Sequence, residues 1–96
     1  MSAGEASMIA VSADGGAAVL RVHAPGARTV ELMSDITGWA PVDLTRRGAG
    51  WEIRLTTTPG SHHVVLRIDG GAWIAPSNLP RIDDELGGKV GLIVIP

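Results

Sequence analysis

Phenylalanine, tyrosine and cysteine are all absent from this chain of 96 residues, so its whole aromatic surface rests on Trp39, Trp51 and Trp73. Without cysteine there is no disulfide, no thiolate metal site and no Cys nucleophile, and nothing fixes the redox compartment. Charge is sparse at 19% of residues; the basic residues are scattered except for Arg46-Arg47, and the formal net charge is −2. That balance provides no footprint for a phosphate backbone, so nucleic acid is not an expected partner. No apolar run approaches the ~18 residues of a membrane span, and Met1 to Ser7 lacks the basic and apolar regions of a secretory signal. A cytoplasmic location without membrane contact is the default expectation.

What the chain does have is aliphatic alternation cut by turns. Val, Ile, Leu and Ala dominate a hydrophobic fraction of 45%, and 13 Gly with 6 Pro interrupt it at short intervals. This pattern suits short strands and tight turns better than long helices. The clearest period-2 run is Trp51-Glu52-Ile53-Arg54-Leu55, which places Trp51, Ile53 and Leu55 on one face and assigns Trp51 to a core. Strands are also expected at Met8 to Ser12, Ala17 to His23, Thr29 to Met33, Val42 to Leu44, Ser61 to Ile68, Ala72 to Ala75 and Lys89 to Ile95. Turns fall at Ala13 to Gly16, at Arg46 to Gly50, at Pro59-Gly60 and at Asp69 to Gly71. Arg81 to Leu86 is too short for a stable helix.

Seven to eight short antiparallel strands with turn signals about every ten residues indicate an all-β, immunoglobulin-like β-sandwich. The expected organisation is a mobile segment over 1–7 followed by one domain over 8–96, a size that supports a single core. Within the strand at 61–68, alternation turns His62, Val64, Leu66 and Ile68 inward and His63, Val65 and Arg67 outward. Val65 is therefore predicted to be an exposed apolar residue.

Candidate chemistry is thin. The histidines are His23, His62 and His63, and no serine lies in a nucleophile-elbow motif. His62 and His63 point to opposite faces of one strand and cannot share a metal ion. Asp83-Asp84-Glu85 lacks the alternating ligands and central Gly of a calcium loop and reads as a solvated loop. No catalytic residue, metal site or cofactor is expected, and the chain is read as non-enzymatic. The remaining constellation is Trp39, at the end of a turn-like run, with Trp73, just after Asp69-Gly70-Gly71. Two loop-borne rings can serve as apolar platforms for sugar rings. The competing expectation is that one or both fold inward and cap the sandwich.

The order Ser34-Asp35-Ile36-Thr37-Gly38-Trp39, Pro59-Gly60, Ile68-Asp69-Gly70-Gly71-Ala72-Trp73 and Leu86-Gly87-Gly88 resembles family 48 carbohydrate-binding modules. These include the glycogen-binding domain of the AMP-activated protein kinase β subunit and the N-terminal domains of isoamylases. The resemblance runs from about Ala17 to Ile95 and implies an early-set immunoglobulin-like sandwich. It further implies that Trp39 and Trp73 stack on glucose rings and that Leu86 abuts a ring. By the same register a Lys common in the family falls at Val65, and polar sugar contacts near the last strand fall at about Gly88 and Gly91.

The expectation is a non-catalytic module for α-1,4-glucan such as glycogen or maltooligosaccharide. Its site comprises Trp39, Trp73, Leu86 and Val65, with Arg67 and Lys89 as candidates for hydroxyl contacts. Because stacking without hydroxyl partners orients a sugar poorly, the alternative is a docking surface on the same apolar residues, for a protein partner or a weak homodimer.

Overall fold

The alternating runs become strands that stack as two antiparallel sheets. A computed structural model of the chain describes residues 8–83 and 88–96. Segment 1–7, Asp84, Glu85 and Leu86 lie outside the described residues, and with them the expectations placed there. The strands are β1 (Met8–Asp14), β2 (Ala17–His23), β3 (Val30–Ser34), β4 (Val42–Asp43) and β5 (Thr45–Arg47), then β6 (Gly50–Thr56), β7 (Gly60–Ile68), β8 (Trp73–Ile74), β9 (Arg81–Asp83) and β10 (Lys89–Ile95). One sheet has the order β1-β2-β6-β5; the other runs β4-β3-β7-β10-β9, with β8 also paired to β7.

Among the described residues the strands number ten rather than seven or eight, because two- and three-residue pieces border the long ones. The Arg46-Arg47 pair, expected in a turn, lies in one of these, the exposed edge strand β5. Arg81 to Asp83, the start of the run too short for a helix, is the edge strand β9. Both owe their extended form to the strand beside them, β6 and β10 respectively.

Burial follows the pleat. Ile9, Ala18, Leu20, Val22 and Trp51 from the first sheet meet Val30, Leu32, Val64, Leu66, Ile68, Ile93 and Ile95 from the second in one core. Trp51 is 8% exposed there, as alternation requires, with the Arg46 guanidinium 5.7 Å from its ring centre. The β1–β2 hairpin closes through Gly15 and Gly16, both at positive φ (59° and 85°), which gives the turn the twist that two paired strands need.

Loops complete the closure. Asn78 accepts a hydrogen bond from the Ile9 N–H at 3.0 Å and donates one to the Ile9 carbonyl at 2.8 Å, so its amide stands in for a neighbouring strand at the free edge of β1. Pro76 is fully buried, and Pro76 with Leu79 packs so closely on Gly91 that a Cβ there would lie 3.0 and 3.1 Å from them. Among the described residues no helix is long and apolar enough to cross a membrane.

Candidate functional site

The outer face of the larger sheet is built on β7, which pairs with β3 along one edge and with β10 and β8 along the other. With Val64, Leu66 and Ile68 turned into the core, His63, Val65 and Arg67 face outward. Arg67 stands between two partners. Its Nε and Nη2 donate to the two carboxylate oxygens of Glu31 at 2.9 and 2.7 Å, and its Cζ lies 4.5 Å from the ring centre of Trp73, directly opposite on β8. The bidentate bond from Arg67 holds the Glu31 carboxyl below its ordinary range, and the same bond raises the guanidinium. Glu31, Arg67 and Trp73 thus form a row in which a carboxylate fixes a guanidinium and the guanidinium supports an indole.

Trp73 is half-buried and lies outside the core, so the expectation that it folds inward is not what the chain does. Trp39 is 43% exposed. The turn that carries it is set by its own sequence. Ser34, fully buried at the end of β3, accepts at Oγ from the Ile36 N–H (3.1 Å), and its N–H donates to Thr37 Oγ1 (3.2 Å), which caps the 3-10 turn Asp35–Thr37 at both positions. Gly38 then takes the left-handed conformation, and Trp39 follows it at φ 61°, with its N–H donating to the Ser34 carbonyl at 2.8 Å. A bulky residue in that region costs on the order of 1–2 kcal/mol.

The position of Trp39 relative to Trp73 follows from register. Ser34, which holds the Trp39 backbone, is opposite Val64, and Trp73 is opposite Arg67. Those positions on β7 are separated by about 10 Å of strand, with the two Trp residues on opposite flanks of it.

The other candidates are placed differently from their sequence expectations. Val65 faces outward opposite Met33 but is only 5% exposed, against the prediction of an exposed residue. It lies in a strand with neighbours on both edges, and alternation in one strand gives the face of a residue without telling how much the neighbouring strands cover it. Lys89 ion-pairs with Asp83 across the β9–β10 ladder, and its parity on β10 is that of Ile93 and Ile95, away from Trp73. Gly91 shares that parity and points at Pro76 and Leu79, so a side chain there would enter the loop packing rather than reach a sugar. The outward positions of β10 are Val90, Leu92 and Val94, of which Val94 is 60% exposed.

No family model matches the chain, and no curated protein matches it. The site therefore stands on its own geometry. The apolar groups it leaves accessible are two indole rings, one of them backed by an ion pair, with Leu92 and Val94 along β10. Among the described residues no group of three His, Cys, Asp or Glu side chains is placed to hold a metal ion.

Sequence reasoning did not anticipate Glu31 and Met33. Both have an outward parity on β3 that can be read once the strand is placed, but the partnership of Glu31 with Arg67 spans 36 residues and leaves no local signal.

Proposed function

We propose that this chain is a cytoplasmic, non-catalytic carbohydrate-binding module of the family 48 type, taking an α-1,4-glucan across the outer face of its larger sheet. The observation that carries the reading is Trp39. It sits in a backbone conformation unfavourable for a large side chain and keeps 43% of its surface in water, so the fold gains little from having an indole there. A ring retained under such conditions is best explained by what it contacts outside the domain.

Trp73 supports the same reading. Its contact with Arg67, itself tied to Glu31, limits the freedom of the ring before any ligand arrives, which lowers the entropy cost of stacking. Sugar C–H faces would stack on the two indoles. Hydroxyls would find the carboxylate and guanidinium edge of the Glu31–Arg67 pair. With Lys89 committed to Asp83, polar contacts are few, and the expected affinity is weak.

Val94, exposed at 60% beside Leu92 on the same face, favours a second reading in which this surface docks onto a protein partner or a second copy. Native affinity electrophoresis through glycogen separates the two readings. Retardation that Trp73→Ala abolishes supports the sugar module. Unretarded migration, together with a concentration-dependent oligomer that Trp39→Ala disrupts in light scattering, supports the docking surface.

A further inference from the structure

His62 is turned toward the interior by the same alternation that buries Val64, Leu66 and Ile68, yet its ring meets oxygen rather than hydrocarbon. Nδ1 lies 2.6 Å from Asp35 Oδ2, and Nε2 lies 2.9 Å from the Thr58 carbonyl oxygen. A carboxylate and a carbonyl can only accept, so each of these bonds must take its proton from His62. Only the imidazolium carries two N–H groups; neutral imidazole leaves a lone pair facing an oxygen.

The two acceptors belong to different parts of the sandwich. Asp35 opens the 3-10 turn that leads to Trp39, and Thr58 lies in the loop that carries the chain from β6 in one sheet to β7 in the other. Asp35 Oδ1 also accepts the His63 N–H at 2.6 Å, which keeps the carboxylate in place whichever form His62 takes. Neutral His62 therefore keeps its proton on Nδ1, against the stronger acceptor, and loses the carbonyl. Thr57 Oγ1, 3.5 Å from Nε2, is placed to turn its hydroxyl toward the freed lone pair.

We propose that His62 is a proton-operated clasp: as imidazolium it ties the Thr58 carbonyl of the sheet-crossing loop to the turn bearing Trp39, and as neutral imidazole it gives up that carbonyl and keeps only the weaker contact with the Thr57 hydroxyl.

The surrounding charges leave this assignment to Asp35. The Thr57-Thr58 loop carries no charged or titratable side chain, and β10 places Ile93 opposite His62 while its Lys89 is paired with Asp83. On β3, Glu31 is tied to Arg67; on β6, Arg54 is tied to Asp14. His63 faces the other side of the sheet. The bond to Asp35, then the Thr58 carbonyl, raise His62 above its ordinary 6.5 by more than burial lowers it. Since the folded value is the higher one, the clasp contributes fully below about pH 6.5 and is lost as pH rises through the folded value. Its release therefore falls on the alkaline side of an ordinary histidine. The clasp makes no assumption about what the Trp39 face binds.

Nitrogen-15 NMR of the imidazole rings in the intact chain tests this. At about pH 6 both His62 ring nitrogens should carry protons, with a midpoint above that of a model histidine. The amides of Thr57, Thr58 and Ile36 should shift with the same midpoint, and Asp35→Asn should lower it. A singly protonated His62 ring at that pH overturns the proposal, as does a midpoint at or below the ordinary value, or loop amides that do not follow the ring. The wild-type measurements decide the matter even where Asp35→Asn fails to fold.

Discussion

Replacing Trp39 by Asn and Trp51 by Ala separates a tryptophan held for the surface from one held for the core. Fully burying a large apolar side chain contributes about 1.5–3 kcal/mol, and Trp39, with 43% of its surface in water, keeps roughly half of that, on the order of 1 kcal/mol. Its φ of 61° costs about 1–2 kcal/mol, a strain that Asn tolerates far better. The two contributions nearly cancel, so Trp39→Asn should change the unfolding free energy by no more than about 1 kcal/mol. Trp51→Ala opens a cavity beneath Arg46 in a site that is 8% exposed and should cost about 3–5 kcal/mol. Urea denaturation followed by circular dichroism measures both. A loss of about 3 kcal/mol or more in Trp39→Asn would refute the argument, because it would make the ring a structural cap and remove the reason for assigning it a ligand.

Further expectations concern the loops, the stack and pH. Asn78→Ala removes two hydrogen bonds to Ile9 at about 1 kcal/mol each, and should lower the melting temperature by roughly 8–16 °C with faster hydrogen exchange at Ile9; a shift within error would show that β1 needs no such partner. Gly91→Ala drives a Cβ against Pro76, Leu79 and the Val64 carbonyl and should destabilise by about 1–3 kcal/mol in the same denaturation assay. Arg67→Met should leave Trp73 in place but free to reorient, weakening retardation by glycogen while the fold is kept; unchanged retardation would separate the Glu31–Arg67 pair from binding. Asp35 is raised by partial burial but lowered further by the bonds from His62 and the His63 N–H, so its contribution is present above 3.8 and is lost as pH falls through the lower folded value. With the opposite sign for His62, melting temperature should be highest between about pH 4 and pH 6.5 and decline on both sides, and His62→Gln should flatten the alkaline decline.

The parts of the fold legible in the sequence were those with local causes. Trp51, Ile53 and Leu55 declared a buried face through period-2 spacing, and Gly15-Gly16 declared a turn through backbone freedom. What escaped was non-local. The short strands β5 and β9 have no pattern of their own and are extended because β6 and β10 lie beside them.

The candidate site divides in the same way. Trp39 and Trp73 stood out because aromatic residues are so few, and the alternation of β7 gave Arg67 its outward face. That Arg67 is held by Glu31, that Lys89 is held by Asp83, and that Val65 is covered are properties of neighbouring strands. The bond between Asp35 and His62 spans 27 residues, so neither residue signals the other along the chain.

The measurement that most directly tests a glucan-binding face is titration of the intrinsic tryptophan fluorescence with maltoheptaose. A glucan-binding face gives a saturable change at millimolar sugar that is lost in Trp73→Ala and reduced in Trp39→Asn, with cellobiose-type sugars giving none. A folded wild-type protein that shows no response at millimolar maltoheptaose would contradict it.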